Sequence, residues 1–197
     1  MNNLALFDFD GTITNSDSLS GFLKYYAGQK NYYITKYVKC FHYYLSYYFG
    51  LIGYEKLKRK MIYYIIKKKK VGELNIIAKQ YYEKIIRNDV KVTALQALNK
   101  HKKKGDKIVV VSASLEILLQ FFCKDHGLDL IANNLVIRNG IYLGEIEGRD
   151  CNGIEKVKRI KANYNLSNYK NIYAYGDSKF DLPMLEIANF SNYKTFN

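Results

Sequence analysis

The chain predicts an α/β fold built on a parallel sheet, and three strand-to-loop junctions predict it. Leu4-Ala-Leu-Phe-Asp8-Phe-Asp10-Gly11-Thr12, Lys107-Ile-Val-Val-Val-Ser112-Ala-Ser114 and Asn171-Ile-Tyr-Ala-Tyr-Gly176-Asp177-Ser-Lys-Phe-Asp181 each pass from apolar into polar residues. Short apolar runs bounded by turn residues read as strands buried on both faces, as a parallel sheet requires. Strands that end in carboxylates and hydroxyls gather those groups at one sheet edge, where open α/β sheets bind ligands.

At the first junction, Asp8 and Asp10 are two residues apart and leave the strand on the same side. Carboxylates that close do not both ionise unless a cation sits between them or one keeps a proton. The pair points to a metal, to acid–base chemistry, or to both. One carboxylate that attacks and one carboxyl that protonates a leaving group suit phosphoester cleavage. A lone Asp-x-Asp more often caps a turn, and it is the other two junctions that count against that reading. A calcium loop of the EF-hand kind needs glycine sixth and glutamate twelfth. Counted from Asp8, Gly11 is fourth and Leu19 is twelfth, so that reading fails.

From Asp17 to Asp89 the pattern is helical, without strand alternation, and dense in Tyr, Phe, Ile and Lys. Tyr25, Tyr26, Tyr32, Tyr33, Tyr37, Tyr43, Tyr44, Tyr47, Tyr48 and Tyr54 all fall here. Tyr37 to Tyr54 is the most apolar stretch, but it is shorter than the about 20 residues of a membrane span and carries Lys39 and His42. Two readings of the aromatics stay open. They pack as helix core, or with Lys56, Lys58, Arg59, Lys60 and Lys67 to Lys70 they form a surface that settles on anionic lipid.

At the second junction Ser112 and Ser114 precede an amphipathic helix pattern (Leu115, Leu118, Leu119, Phe122), and serine there is either a helix cap or a phosphate ligand. At the third, Pro183 opens the next helix.

A chain of 197 residues suits one α/β core with an insert, and 48% hydrophobic content supports a sizeable core. The first strand begins almost at once, leaving no room for a signal peptide. Cys40, Cys123 and Cys151 are odd in number and form no Cys-x-x-Cys pair, which reads as free thiols in a reducing compartment. A cytoplasmic location is expected, with peripheral contact at the inner membrane face as the variant that the lipid reading allows. His42, His101 and His126 show no zinc spacing and read as ordinary, partly exposed residues. The net charge of +13 would attract nucleic acid, anionic membranes and phosphorylated metabolites alike. No recognisable nucleic-acid module stands out, so no nucleic-acid partner is expected. Oligomeric state is not legible.

These motifs, with Lys156 at a helix start, resemble the four motifs of the haloacid dehalogenase superfamily of phosphatases, in order and across nearly the whole chain. The large insert between the first and second motifs is similar to the phosphoserine phosphatase-like branch. Asp17-Ser-Leu-Ser-Gly-Phe-Leu, Ser112-Ala-Ser, Cys151-Asn-Gly-Ile-Glu-Lys156-Val-Lys-Arg-Ile and Tyr173-Ala-Tyr-Gly-Asp-Ser resemble, more narrowly, a bacterial subgroup that includes phosphatidylglycerophosphatase C-like enzymes.

The resemblance implies a three-layer Rossmann-like core over residues 1–16 and 90–197, and a small all-helical cap over 17–89. It implies a Mg²⁺-dependent phosphomonoester hydrolase in which Asp8 becomes an aspartyl-phosphate. Asp10 then protonates the leaving oxygen and later deprotonates water. Asp8, the backbone carbonyl of Asp10 and Asp177 would hold the metal, with Asp181 acting indirectly. Ser112, Lys156 and the N–H groups of Gly11 and Thr12 would hold the phosphoryl group, with Asp17, Ser114 and Arg59 near the substrate. The implied substrate is a small phosphomonoester, favoured as a phosphorylated lipid or envelope precursor. Phosphoserine is the alternative, since Asp17 stands where phosphoserine phosphatases carry a glutamate. A catalytically silent binding protein on the same fold is the non-enzyme alternative.

Overall fold

The computed structural model describes residues 2–28 and 33–196, with residues 27 and 33–39 in backbone only. Tyr32 and the side chains of Tyr33, Tyr37 and Lys39 lie outside the described residues. The order is β1 (Leu4–Phe7), α1 (Ser18–Gly28), α2 (Tyr33–Tyr48), α3 (Tyr54–Ile66) and α4 (Val71–Tyr81), which runs through a π turn (Tyr82–Ile86) into α5 (Arg87–Asp89). Next come α6 (Val92–Lys103), β2 (Lys107–Leu115), α7 (Glu116–His126), β3 (Asp129–Asn133), β4 (Leu135–Arg138) and β5 (Ile141–Ile146). The chain closes with α8 (Ile154–Asn163), β6 (Ile172–Gly176), α9 (Leu182–Glu186) and β7 (Phe190–Tyr193).

Five strands form one parallel sheet in the order β3-β2-β1-β6-β7. The chain builds outward from β1 through β2 to β3, then returns to the other side of β1 for β6 and β7. The direction therefore reverses between β1 and β6, where Phe7 lies opposite Tyr175. Such a reversal opens a crevice beyond the strand ends, the usual ligand position of this architecture.

Alternation along the strands divides the core into two layers. Leu4, Leu6, Val109, Val111, Ile172 and Ala174 pack with Ile160 of α8 and Met184 and Leu185 of α9. Ala5, Phe7, Ile108, Val110 and Tyr175 face the opposite layer, with Phe22 of α1, Leu74 of α4 and Leu118 of α7. Burial on both faces is why these strands read as unbroken apolar runs rather than alternating ones. The second strand extends one residue beyond the expected junction, through Leu115, before α7 begins.

Among the described residues, the insert buries no separate core of its own. Leu57, Met61, Ile62, Ile65 and Ile66 of α3 belong to the same buried cluster as Phe7 and Phe9, together with Tyr142 and Ile146 of β5. Helix α3 lies so close to β5 that a Cβ on Gly144 (φ +77°) would stand 2.9 Å from Tyr63 Cα, so glycine is required there. The two connections of the insert run side by side, with Asn15 N–H donating to Asp89 C=O (3.1 Å) and Lys91 N–H to Ile13 C=O (2.8 Å).

One sequence expectation changes, that of His101. The apolar stretch Tyr37 to Tyr54 is not continuous, because α2 stops at Tyr48 and Gly50 (φ +70°) turns the chain before α3. No helix among the described residues is long and apolar enough to cross a membrane. His101, read as partly exposed, is 3% exposed and bonds both Asp106 Oδ2 (2.7 Å) and Tyr175 Oη (3.0 Å). It braces the strand that carries Gly176 and Asp177.

Candidate active site

Asp8 leaves β1 with its N–H held by Tyr175 C=O at 2.9 Å, so the backbone pairing of β1 with β6 continues one residue beyond the strand. Its Oδ1 accepts from Lys156 Nζ at 2.5 Å, and the same ammonium reaches Asp181 Oδ1 at 2.6 Å. Lys156 is the third residue of α8 and almost fully buried. Burial works against its charge, but Asp8 and Asp181 outweigh it and raise its pKa, so it stays an ammonium. Carboxylate oxygens of Asp8, Asp177 and Asp181 lie within 4.8 Å of one another. Three carboxylates against one ammonium leave an excess of negative charge. An all-oxygen donor set fits a hard divalent cation such as Mg²⁺.

The loop chemistry is what makes this approach feasible. Gly11 (φ +81°) sits where a Cβ would collide with the Asp177 carboxylate, so any side chain at that position would push the β6 acid away. Thr12 Oγ1 donates to Asp177 Oδ1 at 3.1 Å. Asp181 Oδ2 accepts from Ser178 N–H (3.0 Å) and Ser178 Oγ (2.7 Å). Burial raises the Asp181 pKa, but Lys156 and these bonds overcome it and hold the carboxyl below its ordinary range.

Asp10 lives in a different environment. Its Oδ1 accepts from Ser18 N–H at 2.8 Å, at the start of α1, and its carboxylate is not part of the three-acid cluster. Burial pushes its pKa up to about 8, and the charges of Asp17 and Asp8 add to the rise. Burial raises Asp8 to about 6, against the pull of Lys156. A carboxylate held against a cation and a neighbouring carboxyl kept protonated can supply the two halves of an acid-assisted displacement.

Ser112 is buried, and its Oγ accepts from Ser114 N–H at 3.0 Å, which leaves its hydroxyl proton to donate elsewhere. Ser114 Oγ in turn meets Ser18 Oγ at 2.6 Å. A line of contacts therefore runs from Asp10 through Ser18 and Ser114 to Ser112.

The structure brings Asp8, Asp10, Gly11, Thr12, Lys156, Asp177 and Asp181 to one crevice and ties Ser112 and Ser114 to it. Other expected residues have local duties. Thr12 N–H already reaches Phe9 C=O at 3.3 Å. Asp17 is exposed and caps α1, its Oδ1 accepting from Ser20 N–H at 2.6 Å, and acts on Asp10 through its charge. Arg59 is turned to Glu55 (2.9 Å) and to the carbonyls of Ile146 and Gly148, which engages its fork away from the acids. Lys58, grouped with the surface lysines by sequence, is 4% exposed and ion-paired to Asp150 at 2.7 Å. Sequence reasoning missed Lys58, Asn133 and Asp150. Nothing in the spacing marks one buried lysine among 31 lysines and arginines.

Fold and site together define a hydrolase that works on phosphoryl groups at the switch point of a Rossmann-like sheet. The chain belongs to the haloacid dehalogenase-like hydrolase family, whose profile matches residues 5–186. Protein CicA of Caulobacter vibrioides is 29% identical over 196 residues, covering 98% of this chain and 86% of that protein. A phosphoserine phosphatase of Methanocaldococcus jannaschii is 24% identical over 193 residues, covering 94% of this chain and 82% of that one. A Bordetella pertussis protein of unknown function superposes with a TM-score of 0.84 at 24% identity, over 98% of this chain and 89% of that chain, and shares the fold.

Proposed function

We propose that this chain is a Mg²⁺-dependent phosphomonoester hydrolase that acts through a phosphorylated Asp8, with residues 17–89 as a cap over the site. The observation that carries this reading is the division between two carboxyls. Asp8 is paired with Lys156 inside a three-acid cluster, while Asp10 stands apart with a raised pKa. Asp8 attacks phosphorus as Asp10 gives its proton to the departing oxygen. Asp10, now a base, takes a proton from the water that cleaves the acyl phosphate. Ser112 and Lys156 hold the phosphoryl oxygens and oppose their charge. Mg²⁺, held by Asp8 and Asp177 with help from the Asp10 carbonyl, would neutralise phosphoryl charge, and Asp181 would steady Lys156 and the metal-side loop.

For the substrate we favour a phosphomonoester with an apolar portion, a phosphorylated lipid or envelope precursor. A run of aromatics supports this. Tyr54 feels the charges of Asp17 and Asp10 beyond the effect of its own burial, and its ring meets Tyr47 at 6.1 Å. Beyond Tyr47 lie Tyr48 (82% exposed), Phe49 (69%) and Leu51 (76%) at the turn between α2 and α3. Exposed apolar side chains at such a turn suit peripheral contact with a membrane surface. The basis differs from the sequence expectation: the apolar turn carries it, not Lys58, and Lys67 is drawn onto Tyr63 Oη.

Phosphoserine is the second reading, favoured by the named relative and by Asp17 beside Asp10. Against it, the fork of Arg59 is already engaged. Phosphate release with Mg²⁺ from an aryl phosphate, phosphoserine, sugar phosphates and lipid phosphates, with and without anionic vesicles, separates these. Release that survives a chelator contradicts metal dependence. Release from phosphoserine alone contradicts the lipid reading, and no release from any substrate supports a silent binding protein.

A further inference from the structure

Charged side chains are rarely buried unless paired, and among the described residues Lys58 is the insert's buried charge. It projects from α3 and donates to Asp150 Oδ1 at 2.7 Å and to the carbonyl of Ala113 at 2.6 Å. Asn133, at the end of β3 and fully buried, donates to the same two acceptors, Ala113 C=O at 2.6 Å and Asp150 Oδ1 at 2.5 Å. Its Oδ1 accepts from Cys151 N–H at 2.8 Å. Four segments meet here: the insert, the end of β2, the end of β3 and the loop that enters α8.

Two of those segments carry phosphate ligands. Ala113 stands between Ser112 and Ser114, and Asp150-Cys151 leads within a few residues to Lys156. A buried ion pair is a poor stabiliser, since an apolar pair of similar volume usually does as well. What such a network does supply is a fixed mutual position for the groups bonded to it.

We propose that Lys58 is a positioning residue: clamped between Asp150 and the Ala113 carbonyl, it locks the Ser112–Ser114 turn and the α8 entry into register with the insert. The insert thereby sets the spacing between the hydroxyl and the ammonium that receive the phosphoryl group. This rests on the phosphatase reading above, so the test carries a readout that does not need turnover.

The informative variant is the double replacement Lys58→Met with Asp150→Leu, which leaves no unpaired buried charge. Melting temperature, kcat and KM for an aryl phosphate, and binding of inorganic phosphate by calorimetry are compared with the wild type. The expected result is a melting temperature near the wild type's, kcat lower by about 10–100-fold, and phosphate binding weaker by about tenfold. Wild-type kcat and wild-type phosphate affinity in the double variant overturn the proposal and leave the pair a structural one. If the double variant does not fold, Lys58→Arg keeps the charge but offers a planar fork in place of a point donor. A folded Lys58→Arg protein with lowered kcat and weaker phosphate binding supports the clamp, and one with both unchanged overturns it. Absence of turnover in the wild type defeats the phosphatase reading alone, because phosphate binding still decides on Lys58.

Discussion

The edge of the sheet and the tip of the insert treat their chemical groups in opposite ways. At the edge, Lys156 and Asp181 are buried and doubly bonded, and Gly11 exists to let one acid approach another. At the tip, Tyr48, Phe49 and Leu51 stand in solvent. Burying charges is costly and is sustained only by dense pairing, whereas exposed aromatics gain from any surface that covers them. On the proposal that the tip presents substrate, chemistry and presentation are separable in this molecule, and substitutions should divide accordingly.

The largest effect is expected from Asp8→Asn, which keeps shape but removes the proposed nucleophile: kcat falls by about 10⁴-fold or more while the fold persists. Phosphate release and circular dichroism on the same sample check this. A folded variant with substantial turnover would break the distinction between edge and tip at its strongest point.

Asp10→Asn is expected to lower kcat by about 10²–10⁴-fold and, unlike most active-site losses, to stabilise the metal-free protein at alkaline pH. The sign follows from linkage. The carboxyl titrates near 3.8 without burial and at about 8 when folded, so the native state holds the extra proton between those values. Stability from this group is intact below the lower value and drains away as pH rises toward the higher one. Thermal melts in chelator from pH 5 to 9 should therefore fall less steeply for Asp10→Asn than for the wild type. Parallel slopes would contradict the buried-acid assignment.

Next in size, Asp177→Ala should weaken Mg²⁺ binding by about 10–100-fold, and more than Asp181→Ala, whose carboxylate is committed to Lys156 and Ser178. Mg²⁺ titrations of activity and of protein fluorescence measure it. The reverse order would move the metal toward Asp181.

The smallest effect on chemistry belongs to the tip. Replacing Tyr48, Phe49 and Leu51 together by serine should weaken binding to anionic vesicles at least about tenfold, given about 1.5–3 kcal/mol for each large apolar side chain fully buried. Hydrolysis of a soluble aryl phosphate should stay unchanged. Equal vesicle binding by both proteins would leave the aromatics as mere surface.

Legibility followed the same division. Asp8, Asp10, Ser112, Asp177 and Asp181 were readable because strand ends leave a pattern of apolar run, turn and polar residue, and Lys156 was readable only through the family resemblance. Asn139-Gly140 between two apolar runs is the mark of a tight hairpin turn (φ 52° and 73°), yet β4 and β5 were not anticipated, because strands of four and six residues with exposed positions carry little pattern of their own. Lys58, Asn133 and Asp150 were not readable, since long-range pairing between residues scattered over 92 positions leaves no local period. Arg59 and His101 misled for a related reason. Residue type sets what a side chain can bond, and only the fold sets what it meets.

On the proposed mechanism Asp8 carries the phosphoryl group during turnover, and rapid acid quench traps it there. Mass spectrometry of the digested protein should find one phosphoryl group on the peptide containing Asp8, released by hydroxylamine as an acyl phosphate is, and absent from Asp8→Asn. Steady turnover with no phosphorylated peptide at any quench time, or with the label on another residue, would contradict it.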